Sequence, residues 1–177
     1  EMLQIPARQI WVKADCVGGG FGPKSGFYAE DFLVAWLALK SGRPVRWLED
    51  RREHLQCARQ ERDQIHQVSV AFSKSGKIVG LKDKFIYDVG AYSTTIIIPW
   101  TTAYTLVGSY KIPNLRIQMQ LAFTHKVPTM TVRGAGRPEA IFVIERVLDR
   151  VASELALDPL EIRRVNMVEP QDLPWDT

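Results

Sequence analysis

The chain has 177 residues, 46% apolar and 24% charged, a globular mixture that excludes a wholly disordered or collagen-like polymer. Its net charge of +3 is too thin for the dense basic face of a nucleic-acid binder, and it has no run of 18 apolar residues to span a membrane. Neither nucleic acid nor membrane is therefore expected as a partner. Two cysteines, Cys16 and Cys57, make neither a disulfide framework nor a zinc site. Residues 1–20 lack a signal-peptide pattern, so a reduced, cytoplasmic setting is expected. Both termini read as internal to a longer polypeptide: one end runs Met2-Leu3-Gln4-Ile5-Pro6, and the other is a turn-rich strip closing on Pro174-Trp175.

In chain order, residues 9–14 alternate and predict a strand, followed by glycines at 18, 19, 20 and 22. Residues 28–40 predict a helix, apolar around most of its circumference and so expected to be buried, with Ser41-Gly42 as its stop. Residues 45–48 predict a short strand, and Asp50 caps a helix through about Arg59. Residues 67–72 and 78–87 alternate on either side of Ser73-Lys74-Ser75-Gly76-Lys77, a hairpin signal. The Ile96-Ile97-Ile98 run stops at Pro99, and residues 115–123 predict another strand. Residues 138–156 predict the clearest helix, with Ile141, Ile144, Leu148, Val151 and Leu155 on one face and Pro138 and Glu139 at its start. Asp158-Pro159 caps a short helix to about Asn166. The expected class is α+β: a mixed, hairpin-containing sheet packed with helices, forming a single fragment over residues 1–177.

Two glycine loops carry the chemistry. Gly18-Gly19-Gly20-Phe21-Gly22-Pro23-Lys24-Ser25 lies between a predicted strand and a predicted helix, where backbone N–H groups can converge on an anion. It misses the dinucleotide fingerprint and the phosphate loop at one position, Pro23, which has no N–H to give a phosphate. Arg133-Gly134-Ala135-Gly136-Arg137 opens the strongest helix. Amides, helix dipole and guanidinium forks there favour an anionic ligand, unless the arginines pair with acids such as Glu139 or Asp149.

Together these loops resemble those of the molybdenum hydroxylases, the large molybdopterin-binding subunits of the xanthine dehydrogenase, aldehyde oxidoreductase and aerobic carbon monoxide dehydrogenase family. The resemblance runs from Gly18-Gly19-Gly20-Phe21-Gly22 with Lys24 through Gly42-Arg43-Pro44-Val45-Arg46-Trp47 and Glu49-Asp50-Arg51-Arg52-Glu53. It continues in Tyr110-Lys111-Ile112-Pro113-Asn114 and ends in Arg133-Gly134-Ala135-Gly136-Arg137-Pro138-Glu139-Ala140. It implies that Gly20, Phe21, Gly22 and Arg133 contact the cofactor, with both loops converging on one anionic pterin. The implied cofactor is molybdopterin, as a dinucleotide, carrying molybdenum. The implied partners are the remainder of the molybdopterin subunit and iron–sulfur and FAD subunits or domains. The implied reaction inserts oxygen from water into a C–H bond of an aldehyde or aromatic heterocycle.

Departures from the pattern narrow the substrate. Ala135 stands where purine oxidisers carry an aromatic residue, Ser25 where they carry an acid, and Thr101 where they carry an arginine. Ser25 and Ala135 are therefore the expected substrate-pocket positions of an enzyme that does not clamp purines. Gly134 stands where the copper-dependent carbon monoxide enzymes carry a cysteine, which argues against carbon monoxide as substrate. The loop resembles that of their copper-free relatives. The family's general-base glutamate has no counterpart in this chain, so no catalytic residue or metal ligand is expected here and the isolated chain is expected to be inactive. The competing readings are a non-catalytic or vestigial module pairing with another chain, and a nucleotide-binding loop. Cys16, Cys57, Trp11, Trp36 and Trp47 are expected in the core, the three histidines as structural or solvated, and Glu139 as a helix-start or surface acid.

Overall fold

Alternation at period 2 builds the centre of the larger of two units into which the chain divides, Glu1–Arg59 and Gln60–Thr177. The structure, a computed structural model, describes residues 2–93 and 95–175. In the second unit β1 (Gln64–Phe72) and β2 (Ile78–Gly90) form the expected antiparallel hairpin, with Gln64 opposite Tyr87 and Val70 opposite Leu81. Its turn closes through Ser73 N–H on Lys77 O at 2.9 Å, and Gly76 takes the left-handed φ of 82° that the turn requires. β3 (Leu115–Phe123) lies parallel to β2, giving the order β1-β2-β3 and a mixed sheet.

Leu81, Asp83, Phe85, Tyr87 and Val89 of β2 are buried, whereas Lys82 and Ile86 between them are exposed. One face of the sheet is therefore covered. α4 (Arg137–Leu155) supplies part of that cover. Its Val143, Ile144, Val147, Leu148 and Val151 join Ile78 and Leu81 in one core cluster, each side chain contributing about 1.5–3 kcal/mol on burial. α3 (Ile97–Tyr104) supplies a second cluster through Ile98, packed with Phe85, Tyr87 and Val89. α5 (Pro159–Asn166), capped by Asp158 as expected, is tied to the hairpin by buried Asn166. That amide accepts from Ile78 N–H at 2.8 Å and donates to Gly76 O at 2.9 Å.

α3 was not expected, because Pro99 reads as a break. It falls in the first helical turn, where its missing N–H has no intrahelical acceptor in any case. Ile97 N–H is met by Thr95 Oγ1 at 3.2 Å.

The first unit holds α1 (Ala29–Ser41), stopped by Gly42 at φ 63°, and α2 (Arg51–Cys57). Asp50 and Glu53 cap α2 reciprocally, each accepting the other's backbone N–H at 2.8 Å. The strands expected over 9–14 and 45–48 do not form among the described residues, because a strand needs a ladder partner. α1, expected to be buried, has no buried residue. Trp11 is 91% exposed, Trp36 and Trp47 are exposed, and so are both cysteines. A unit of two helices without a sheet has too little apolar cover for such residues.

Candidate cofactor-binding loops

In the first loop the positive backbone angles fall on Phe21 (φ 49°) and Gly22 (φ 102°), not on Gly18, Gly19 or Gly20. The Phe21 ring folds over Gly19, where an added Cβ would lie 2.5 Å from it. Glycine at 19 thus makes room for the aromatic tip, which stays 64% exposed. Gly18 would meet nothing within 4 Å, so the main chain is open there. Ser25 is exposed and donates its hydroxyl to Gly22 O at 2.6 Å, bracing the turn at Pro23–Ser25. Lys24 Nζ sits 6.0 Å over the Tyr28 ring, and the Arg59 guanidinium lies 5.2 Å over the same ring. A phosphate loop leads straight into a helix N-terminus. Here α1 starts only at Ala29, behind the extended Tyr28, so Lys24 and Ser25 do not hold phosphate-loop positions.

The second loop is left-handed throughout its centre: Gly134, Ala135 and Gly136 have φ of 106°, 50° and 90°. A Cβ on Gly136 would lie 2.3 Å from Ile98 O. This glycine is required by close packing on α3, not by a ligand. Arg133 and Arg137 project outward and are exposed. The acids that could have neutralised them are engaged elsewhere. Glu139 Oε2 accepts from Arg62 Nη1 at 3.0 Å, and Asp149 pairs with Arg163 and Arg146. Arg137 reaches only Gly134 O, at 3.4 Å. Among the described residues the Arg133 side chain has no ion-pair partner.

Beneath this loop lies a buried polar layer that sequence reasoning missed. The Glu61 side chain, inaccessible to solvent, accepts the Val132 N–H, and burial, the largest influence, raises its carboxyl above the usual range. Arg62 Nη2 donates to Arg133 O at 2.6 Å. Glu139 is a helix-start acid but is 8% exposed, so it is not a surface carboxylate. Arg62, itself exposed, reaches the Arg133 carbonyl and the Glu139 carboxylate with its two terminal nitrogens. No local pattern could have shown this, since the partners are 71 and 77 residues apart. The histidines are structural where paired. His66 contacts Asp83 at 2.7 Å and stacks on Phe85, and His54 contacts Glu49 at 2.8 Å. Among the described residues no group of three or more His, Cys, Asp or Glu could hold a metal ion, and no helix is long and apolar enough to cross a membrane.

An outward guanidinium without an ion-pair partner among the described residues, on a left-handed loop before a helix, has the chemistry to meet an anion. The comparisons give the family. The molybdopterin cofactor-binding domain matches residues 1–167, and the chain belongs to that family of the molybdenum hydroxylases. It is similar to the gamma subunit of the 6-hydroxypseudooxynicotine dehydrogenase complex of Paenarthrobacter nicotinovorans, 34% identical over 99% of this chain and 22% of that protein. It is also similar to the carbon monoxide dehydrogenase large chain of Hydrogenophaga pseudoflava, 32% identical over 98% of this chain and 22% of that protein. Among solved structures, quinoline 2-oxidoreductase from Pseudomonas putida 86 superposes with a TM-score of 0.82 at 36% identity, covering 90% of this chain and 21% of that one. The chain thus spans about a fifth of the length of these relatives.

Proposed function

We propose that this chain is the part of a molybdenum hydroxylase large subunit that presents Gly20, Phe21, Gly22 and Arg133 to a molybdopterin. The observation that carries this reading is Arg133. Its guanidinium stays exposed while Glu139 and Asp149 are paired with other arginines. A cation left unpaired at a helix start suits an anionic group. The donor chemistry fits a molybdopterin in dinucleotide form: Arg133 supplies a planar fork for phosphate or pterin oxygen, and the open turn at Gly18 leaves its main chain accessible.

The bound group would supply two-electron redox chemistry at its metal. The work of this chain is to bind, orient and exclude. Arg133 fixes the anionic cofactor, the Phe21 ring gives a rigid apolar wall that keeps water away, and Ala135 and Ser25 leave room for substrate. In the net reaction a substrate carbon loses a C–H bond and gains a C–O bond to oxygen from water, releasing two electrons and two protons. Iron–sulfur and flavin partners would take the electrons. An aldehyde or aromatic heterocycle is the substrate class. The small Ala135 removes the aromatic clamp of purine oxidisers, and the name of one solved relative specifies quinoline.

The test is metal and pterin analysis of the full-length polypeptide that carries this sequence, with turnover of quinoline or an aldehyde in isotopically labelled water. Stoichiometric molybdenum and pterin, with label in the product, is expected. Absence of both metal and pterin from the native protein would overturn the reading.

A further inference from the structure

The loop that displays Arg133 does not hold its own shape. Gly134, Ala135 and Gly136 are all left-handed, a conformation that an alanine resists. Among the described residues its internal bonds are Ala135 N–H to Val132 O at 2.8 Å and Arg137 N–H to Gly134 O at 3.2 Å, with the longer contact from Arg137 Nη1. The remaining support comes from residues distant in sequence. The Glu61 carboxylate accepts from Val132 N–H. Arg62 bridges Arg133 O at 2.6 Å and the Glu139 carboxylate at 3.0 Å. Thr102 of α3, fully buried, donates to Gly136 O at 3.1 Å and receives Gln64 Nε2 at 3.0 Å.

This support is costly to bury. The Glu61 side chain is 0% exposed, and its Oε1 makes no hydrogen bond. The nearest cation, Arg62 Nη1, is 3.6 Å away, beyond hydrogen-bond reach. Arg62 itself adopts a φ of 91°, unfavourable for a long side chain. Glu61 thus carries a buried, incompletely satisfied carboxyl and Arg62 a strained backbone, and each gives one polar atom to this loop.

We propose that Glu61 and Arg62 are positioning residues for the Arg133 contact, braced from α3 by Thr102. They act through the loop backbone: Glu61 anchors the Val132 amide just before the left-handed run, and Arg62 fixes the carbonyl of Arg133 itself. The link to cofactor binding rests on the reading of Arg133 given above. The link to the loop does not.

The experiment has two arms. Hydrogen exchange on the 177-residue chain reads the Val132 amide. Molybdenum and pterin retention is read on the full-length polypeptide. Glu61→Ala is expected to speed Val132 exchange by about tenfold or more while amides of β1 and β2 keep their protection. Glu61→Gln, which keeps an oxygen acceptor, is expected to restore slow exchange. Should Glu61→Ala fail to fold, Arg62→Met, which keeps the apolar stem and loses both donors, reads the same loop. Retention is expected to fall in Glu61→Ala as it does in Arg133→Ala, and to recover in Glu61→Gln. Unchanged exchange in Glu61→Ala and Arg62→Met overturns the positioning role. Faster exchange with full retention, where Arg133→Ala does lose cofactor, overturns its relevance to binding. Full retention in Arg133→Ala overturns the cofactor reading instead, and the exchange arm still decides what holds the loop.

Discussion

Gly136 shows how one residue can be fixed by packing alone. Its φ is 90° and a Cβ would lie 2.3 Å from Ile98 O and 2.8 Å from Thr102 Oγ1. Gly136→Ala is expected to destabilise the second unit by roughly 2–4 kcal/mol, since backbone strain and a backbone clash add. Chemical denaturation measures this, and a change below about 0.5 kcal/mol would contradict it. Tyr87 and Tyr110 give a pH signature. Burial first, and then the Glu145 carboxylate for Tyr110, push both phenols up to about 12. A folded pKa above the unfolded value near 10 means a contribution fully present below pH 10 and lost as pH rises towards 12. Of the five tyrosines, these two are expected to ionise late by phenolate absorbance, with stability falling over the same interval. A single titration of all five near 10 would contradict this. The sequence made Arg133 legible, because a guanidinium flanking a G-x-G turn at a helix start is a local pattern. It hid Glu61 and Arg62, whose meaning lies in contacts that only folding creates, and it misplaced Cys16 and Trp11, whose apolar character states a need for cover without naming what provides it.

At the scale of elements, hydrophobic period decided what was readable. α4 was placed within a residue or two because Ile144, Leu148 and Val151 mark one face over 19 residues. The β1–β2 hairpin followed from alternation around a turn. The parallel partnership of β3 with β2 was not legible, since pairing direction is set by the path through α3, and α3 was masked by Pro99. Two substitutions test the packing that results. Leu148→Ala, at a fully buried position, is expected to cost about 2–5 kcal/mol in unfolding free energy. Asn166→Leu would strand Ile78 N–H and Gly76 O, its partners at 2.8 and 2.9 Å, at a cost of about 2–4 kcal/mol. Stability within about 1 kcal/mol of the parent for either variant would show that the element is held by something else.

At the scale of the whole molecule, fold class and family were readable, because several motifs kept their order over nearly the full length and the molybdopterin-binding domain matches residues 1–167. The exposure of the first unit's apolar residues was not. The 177-residue chain alone, supplied with cofactor, is expected to oxidise no aldehyde, because it spans about 22% of its relatives and holds no counterpart of the general base that the resemblance implies. Sustained turnover would contradict that. The most direct test of the central claim is molybdenum and pterin content per polypeptide in Arg133→Ala of the full-length protein, with unfolding measured alongside. Because Arg133 is exposed and its side chain makes no hydrogen bond or ion pair among the described residues, stability should be unchanged and cofactor content should fall several-fold. Full occupancy in a normally stable variant would show that this arginine does not hold the cofactor.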